Sequence, residues 1–368
     1  VQVIILKSIP IRFARLLLLA LSLAFGACSL EEEDNREQMV DLQHVKVNPE
    51  AQLANLNAAI SQSGRDGSLY ARRAAVLLRV GDLQKALEDA NEAVRLTRND
   101  PYSLFVKAQV LRSMGKPKEA LPLALQAERN SYQSSAFYVL LGELYLQRKE
   151  YSQAQEYLNK AQELSPNDEV AFYYKGRVAE ATGDTAAAIR NYKLALQQKP
   201  SFLEPQRELS GLLVAQKEFA AARPYIIRAQ RVAPQDGRLW YYKGLVYQAE
   251  QRQDSATLAF HKALSISDTL QGVHYRLGVQ EHALGNNEAA LDHLQKAVDF
   301  KDQPRYLRTM ASAYERTGQY MNSLASYQRL AEVEPEYTYA KQAITRLKYK
   351  VTKPLPASTV VPQVQTEQ

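Results

Sequence analysis

Few side chains in this chain carry chemistry, and their spacing argues against catalysis. The five histidines are His44, His261, His274, His282 and His293. None forms an HExxH pair or a Cys/His cluster, so the ligand spacing of a zinc site is missing. No GxSxG elbow and no phosphate-cradling glycine loop appears. His274 occupies an apolar packing position and is expected in a core. His282 and His293 lie in different predicted helices, with no carboxylate marked out as a partner. No enzyme activity, cofactor or metal is therefore expected. Cys28 is the only cysteine and can form no internal disulfide. What remains is a series of tyrosines and arginines at a fixed interval. Such residues suit recognition, because they combine contact area with hydrogen bonding.

That interval is 34 residues, and it organises most of the chain. Units begin near Gly67, Pro101, Ser135, Glu169, Leu203, Gly237, Gln271 and Pro304, the last after 33 residues. Tyr138, Leu141, Gly142, Tyr145, Ala154, Leu158, Ala161 and Pro166 set the pattern in the third unit. Phe172, Gly176, Gly183, Ala188, Tyr192, Ala195 and Pro200 repeat it, as do Trp240, Gly244, Tyr247, Ala256, Phe260 and Ala263. Small residues at the eighth, twentieth and twenty-seventh positions let two helices approach closely. Larger apolar residues, three or four apart, fill the space between them. Gly81, Gly115, Gly183, Gly285 and Gly318 are placed to end the first helix in a left-handed turn. Pro166, Pro200, Pro234 and Pro335 mark the end of the second. Leu330 replaces the usual alanine, which predicts looser packing in the last unit. Arg73, Lys107, Lys175 and Lys243 take a place that favours leucine. Their stems are expected to cover apolar surface while the charge reaches water.

These residues resemble the tetratricopeptide repeat family over about three quarters of the chain. The resemblance implies an all-α solenoid of about eight helix-turn-helix units, 67–336, wound as a right-handed superhelix. It also implies that the first helices line a concave groove into which their fifth position points. Phe105, Tyr173, Arg207, Tyr241, Tyr275 and Arg308 hold that position, with Ala71 and Val139 completing the set. A protein partner, as an extended peptide or a helix, is the expected occupant. Two alternatives stay open: some tyrosines pack between neighbouring first helices, or the aromatic row stacks on glycans as a surface module for nutrient capture.

The ends carry separate signals. Asn48, Pro49 and Glu50 start a helix well. Leu53, Leu56 and Ile60 give it an apolar stripe, so 48–66 is expected to hold a leading helix. A capping helix is predicted over 337–349 and a disordered tail over 350–368. At the amino end Lys7, Arg12 and Arg15 precede an apolar run over 16–25, a basic region followed by a short core, as in a secretory signal of residues 1–27. The run is shorter than the roughly 20 residues of a comfortable membrane span. Leu23 to Cys28 resembles the lipobox of bacterial lipoproteins. The resemblance implies cleavage before Cys28, lipid on its thiol, and anchoring in the outer membrane, where Ser29 stands in place of a retention aspartate. Glu31, Glu32, Glu33 and Asp34 begin an acidic tether, 28–47. They are similar to surface-export tags and equally suit a solvated linker. Periplasmic and surface exposure therefore both stay open. The formal charge of +6 falls to 43 basic against 40 acidic residues without the first three cations. A nucleic-acid partner is not expected.

Overall fold

A computed structural model describes residues 48–352, and among them the secondary structure is entirely helical, eighteen α-helices and one short 3-10 turn. The signal segment, Cys28, the acidic tether and the tail beyond Thr352 lie outside the described residues. Contacts gather into two compact units, one ending at Met114 and the other beginning at Gly115.

The first unit contains α1 (Pro49–Gln62), α2 (Gly67–Val80), α3 (Leu83–Thr97) and α4 (Pro101–Ser113). Asn48 caps α1, its side-chain oxygen accepting from the amides of Glu50 at 2.9 Å and Ala51 at 3.4 Å. This satisfies two of the four amides that a helix start leaves unpaired. Leu53 lies against a small core of Leu77, Ala86 and Val110. Arg73 departs from the expectation that its charge reaches water. Its guanidinium turns inward and grips Asp89 with two bonds of 2.6 and 2.7 Å, while a third nitrogen donates to Asn57. Asp89 is buried, and an unpaired carboxylate there would be costly.

The second unit runs from α5 (Pro117–Arg129) through α6 (Ser135–Gln147), α7 (Tyr151–Leu164), α8 (Glu169–Ala181), α9 (Thr185–Gln198), α10 (Leu203–Ala215) and α11 (Phe219–Val232). It continues with α12 (Gly237–Ala249), α13 (Gln253–Ile266), α14 (Gln271–Ala283), α15 (Asn287–Gln295), α16 (Pro304–Arg316), α17 (Tyr320–Val333) and α18 (Thr338–Thr352). From α6 onward the helices pair in sequence, and each pair packs on the next through contacts such as α9 on α10 and α11 on α12.

Close approach inside each pair depends on small residues. Ala154, Ala161, Ala188, Ala195, Ala222 and Ala229 are fully buried. Gly176 is wedged against Tyr192, where an added Cβ would sit 2.4 Å from the ring. Ser323 replaces alanine without loss, since its hydroxyl donates to the carbonyl of Ala311 at 2.8 Å. Leu330, expected to loosen the last repeat, is fully buried beside Tyr327 and Leu347. The space alanine would have left is filled by the larger side chain.

All eight first helices end in a left-handed residue. Gly81, Gly115, Gly183, Gly285 and Gly318 supply five, with φ between 73° and 90°. Lys149, Lys217 and Gln251 adopt φ of 61° to 63° in the same place, at the steric cost that an L side chain meets there. At the carboxyl end, α18 continues through residues 350–352, which the sequence assigned to the tail. Lys350 holds this last turn by lying 4.8 Å over the Tyr320 ring and 3.6 Å from Glu315.

Candidate functional site

The fifth positions divide into buried rings and half-open cations. In the first unit Phe105 is buried, 6.3 Å from the Tyr102 ring. In the second unit Tyr173 is only 7% exposed. Its ring lies 5.0 Å from Tyr174, 5.5 Å from Phe202 and 6.0 Å from Tyr192. Tyr275 is 5% exposed and stacks on Phe300 at 4.4 Å with the rings 8° from parallel. These three rings have little surface left to give a partner.

The reason lies one repeat further along. Tyr241 is half-buried, and its hydroxyl occupies the space beside Gly272, where a Cβ would come within 2.6 Å. Tyr242 fills the space beside Gly211 in the preceding repeat in the same way. An aromatic on one first helix thus enters the gap left by a glycine on its neighbour. Burial pushes the phenols of Tyr173 and Tyr241 up, opposed in part by Arg177 and Arg276. Both phenols stay neutral through the physiological range and act as hydrogen-bonding groups.

The arginines are presented differently. Arg177 donates from Nη1 to the Tyr173 hydroxyl at 3.0 Å. Arg276 lies 5.6 Å from the Tyr275 ring centre. Arg207 stands 3.5 Å from both Asp236 and Glu208. Arg308 is exposed, bonded to Glu334 at 2.7 and 2.9 Å and lying 4.6 Å over the Tyr337 ring. In each case an aromatic ring or carboxylate fixes a guanidinium whose planar fork suits carboxylates and carbonyls. The aromatic row is therefore the backing, with Arg177, Arg207 and Arg276 half-buried beside it and Arg308 exposed. Arg177 and Arg276 stand at the ninth and sixth positions, outside the fifth-position series that the repeat pattern marks out. The signal for Arg177 was its place one turn after Tyr173, within side-chain reach on a helix, whereas Arg276 reaches the Tyr241 phenol of the preceding repeat and carried no local signal.

The histidines take structural places. His274 is buried, with Nδ1 2.9 Å from His293 Nδ1 and Nε2 2.8 Å from the carbonyl of Asp268. His282 Nδ1 lies 2.8 Å from the side-chain oxygen of Asn287. Among the described residues no group of three or more His, Cys, Asp or Glu is placed to hold a metal ion. Likewise, no described helix is long and apolar enough to cross a membrane.

Comparison with known proteins bears on this architecture. The tetratricopeptide repeat family model matches residues 105–169 and 210–269. The BBSome complex member BBS4 of Bos taurus is 24% identical over 302 residues, 81% of this chain and 57% of that protein. The protein O-mannosyl-transferase TMTC1 of Homo sapiens is 25% identical over 164 residues, 44% of this chain and only 19% of its own length. The chain thus spans well under two thirds of these relatives. Among solved structures, the APC/C hetero-tetramer Cut9-Hcn1 superposes with a TM-score of 0.55 at 15% identity, over 81% of this chain and 58% of that one. The fold is common to both. With two segments matching the family model and with small residues, large rings and left-handed turns recurring in register with the helices, the fold of this chain is a tetratricopeptide-type solenoid.

Proposed function

We propose that this chain is a non-catalytic scaffold that binds another protein through its first helices, held at the bacterial outer membrane by lipid on Cys28, and that it assists assembly of an envelope complex. The observation that carries the binding role is the fixed arginine surface of the second unit. Arg177, Arg207 and Arg276 are each held by a neighbouring tyrosine or carboxylate. Ordering a long side chain on binding costs about 0.5–1.5 kcal/mol, and these have lost most of that freedom in advance. Tetratricopeptide scaffolds suit protein interaction, and the similar BBS4 is named as a member of a complex. The anchoring half rests on the sequence around Lys7, Arg12, Arg15 and Cys28. Two or three acyl chains give durable attachment, each buried methylene adding about 0.8 kcal/mol.

A photo-crosslinker placed at 276 in intact cells should trap one defined protein. Replacing Arg207 and Arg276 together with alanine should weaken the purified partner's binding about 10- to 100-fold, the scale of interface hot spots. Crosslinks only from second-helix positions such as Leu258 would overturn the assignment of the face. Cys28→Ala should move the protein out of the membrane fraction, and retention there would remove the lipid anchor from the reading.

A further inference from the structure

Four repeats place a hydrogen-bond donor at their fourth position and use it alike. The Tyr70 hydroxyl donates to the Gly64 carbonyl at 3.2 Å and the Trp240 indole to that of Pro234 at 2.9 Å. The Gln206 amide donates to the carbonyl of Pro200. Each bond reaches back six residues and ties a first helix to the turn before it. In the seventh repeat the residue is His274, with Nε2 2.8 Å from the Asp268 carbonyl. A carbonyl only accepts, so the network assigns the proton to Nε2 and leaves Nδ1 of the neutral ring as an acceptor. Nδ1 of His293 lies 2.9 Å from that acceptor and must carry a proton to bond with it. Two ring protons therefore close a chain from α15 through His274 to the turn before α14.

We infer that the His274–His293 pair is a proton-operated latch between the two helices of the seventh repeat, closed in its neutral form and released by acid. The one lone pair left on the two rings is Nε2 of His293. A proton there puts a cation in a half-buried position. A further proton can go only to Nδ1 of His274, and two N–H groups would then meet head-on across 2.9 Å. The groups facing His293 do not neutralise the added charge. Asp292 is held by Lys296 at 2.9 Å, so the two largely cancel. Glu281 on α14 gives a weaker attraction, and the neighbouring α16 brings two neutral phenols to α15, Tyr306 donating to the carbonyl of Leu294 and Tyr314 accepting from the Gln295 amide. The Asp299 amide of the 3-10 turn is bonded to Gln271.

Burial, and then the repulsion that two protonated rings would share, lower the proton affinity of His293 below its usual 6.5. The opened repeat then binds more protons than the closed one, so closure strengthens as pH rises. It is complete above about 6.5 and is lost as pH falls below that value. The latch also joins the shortest of the described α-helices, since α15 has only nine residues.

The full-length chain tests this in two measurements. Nitrogen NMR of the histidine rings at pH 7.5 should show His274 protonated on Nε2 and His293 on Nδ1. Amide exchange, corrected for intrinsic rates, should show protection of α14 and α15 falling severalfold between pH 7.5 and 5.0 relative to α12 and α13, because the opened repeat binds the extra protons. His274→Gln with His293→Asn replaces both rings with amide donors that do not titrate, as Gln206 already does in the fifth repeat. In that variant the ratio should stay flat. An unchanged ratio in the natural chain, a His274 proton on Nδ1, or the same acid loss in the double variant would each overturn the latch. If the double variant fails to fold, the two measurements on the natural chain decide alone.

Discussion

In the sixth repeat α12 and α13 run for 13 and 14 residues. In the seventh, α14 keeps 13 while α15 stops after nine and passes into a 3-10 turn at Val298–Phe300. Both pairs close over a glycine. Gly244 faces the Phe260 ring and Gly278 faces Leu294, and all are buried. The starts differ as well. Asp236 caps α12 by accepting from the Arg238 amide at 2.9 Å, whereas Leu270 offers α14 no side-chain cap. A missing cap costs about 1 kcal/mol, and five fewer helical residues remove apolar contacts as well. One plan is thus carried out with unequal reserves, and the weaker copy holds the titratable latch.

The largest test of this inequality removes the side chain that closes each pair. Phe260→Ala should cost about 3–5 kcal/mol and Leu294→Ala about 2–5 kcal/mol. Repeats contact only their neighbours, so the loss should appear first in the altered pair. Hydrogen exchange should show α14 and α15 losing nearly all protection after Leu294→Ala, although the deletion is the smaller one. The sixth pair should keep measurable protection after Phe260→Ala. Equal residual protection would mean that helix length and capping do not set the difference.

Much of this contrast could be read before the structure, and some could not. The interval of 33 before Pro304 announced a missing residue near the end of the seventh unit. Its effect, an α15 ended at Gln295, depends on how the chain rejoins α16, which no local pattern specifies. The glycine turns were legible because only glycine takes that backbone cheaply. Lys149, Lys217 and Gln251 were not, since a strained left-handed residue leaves no compositional mark. The sequence left open whether fifth-position tyrosines face the groove or pack between neighbouring first helices, and Tyr173 and Tyr275 are buried. Tyr241 beside Gly272 and Tyr242 beside Gly211 show that such packing runs between repeats, which no pattern within one repeat could decide. His274 was rightly placed in the core, and its partner was missed because histidine pairs 19 residues apart carry no motif.

A change of intermediate size tests the close approach itself. An alanine at 244 would put its Cβ 2.3 Å from the Phe260 ring, and one at 278 would put it 2.6 Å from Cγ of Leu294. Overpacking of this kind costs about 1–3 kcal/mol, and alanine returns close to 1 kcal/mol through helix propensity. A net loss of up to about 2 kcal/mol is expected for Gly244→Ala, read from local exchange in α12 and α13. Gly278→Ala should cost less, because leucine methyls can shift where a rigid ring cannot. A larger loss at 278 would reverse that ranking.

The smallest effect comes from the turns, and there the sixth repeat is the weaker one. Gln251 holds φ at 61°, while Gly285 takes φ of 90° in the same place. A Cβ built on Gly285 meets nothing within 4 Å, so any difference between the two turns lies in the backbone alone. Left-handed geometry costs an L residue roughly 1–2 kcal/mol, of which the greater unfolded freedom of glycine takes back about half. Gln251→Gly should therefore tighten the sixth repeat by about 0.5–1 kcal/mol, and Gly285→Gln should loosen the seventh by a similar amount. Urea titration followed by exchange in α12 and α14 would measure both. If Gln251→Gly weakened its repeat instead, the Gln251 side chain would have to supply more than the strain removes, and the sixth repeat's advantage would rest partly on this turn rather than on its longer helix and its cap.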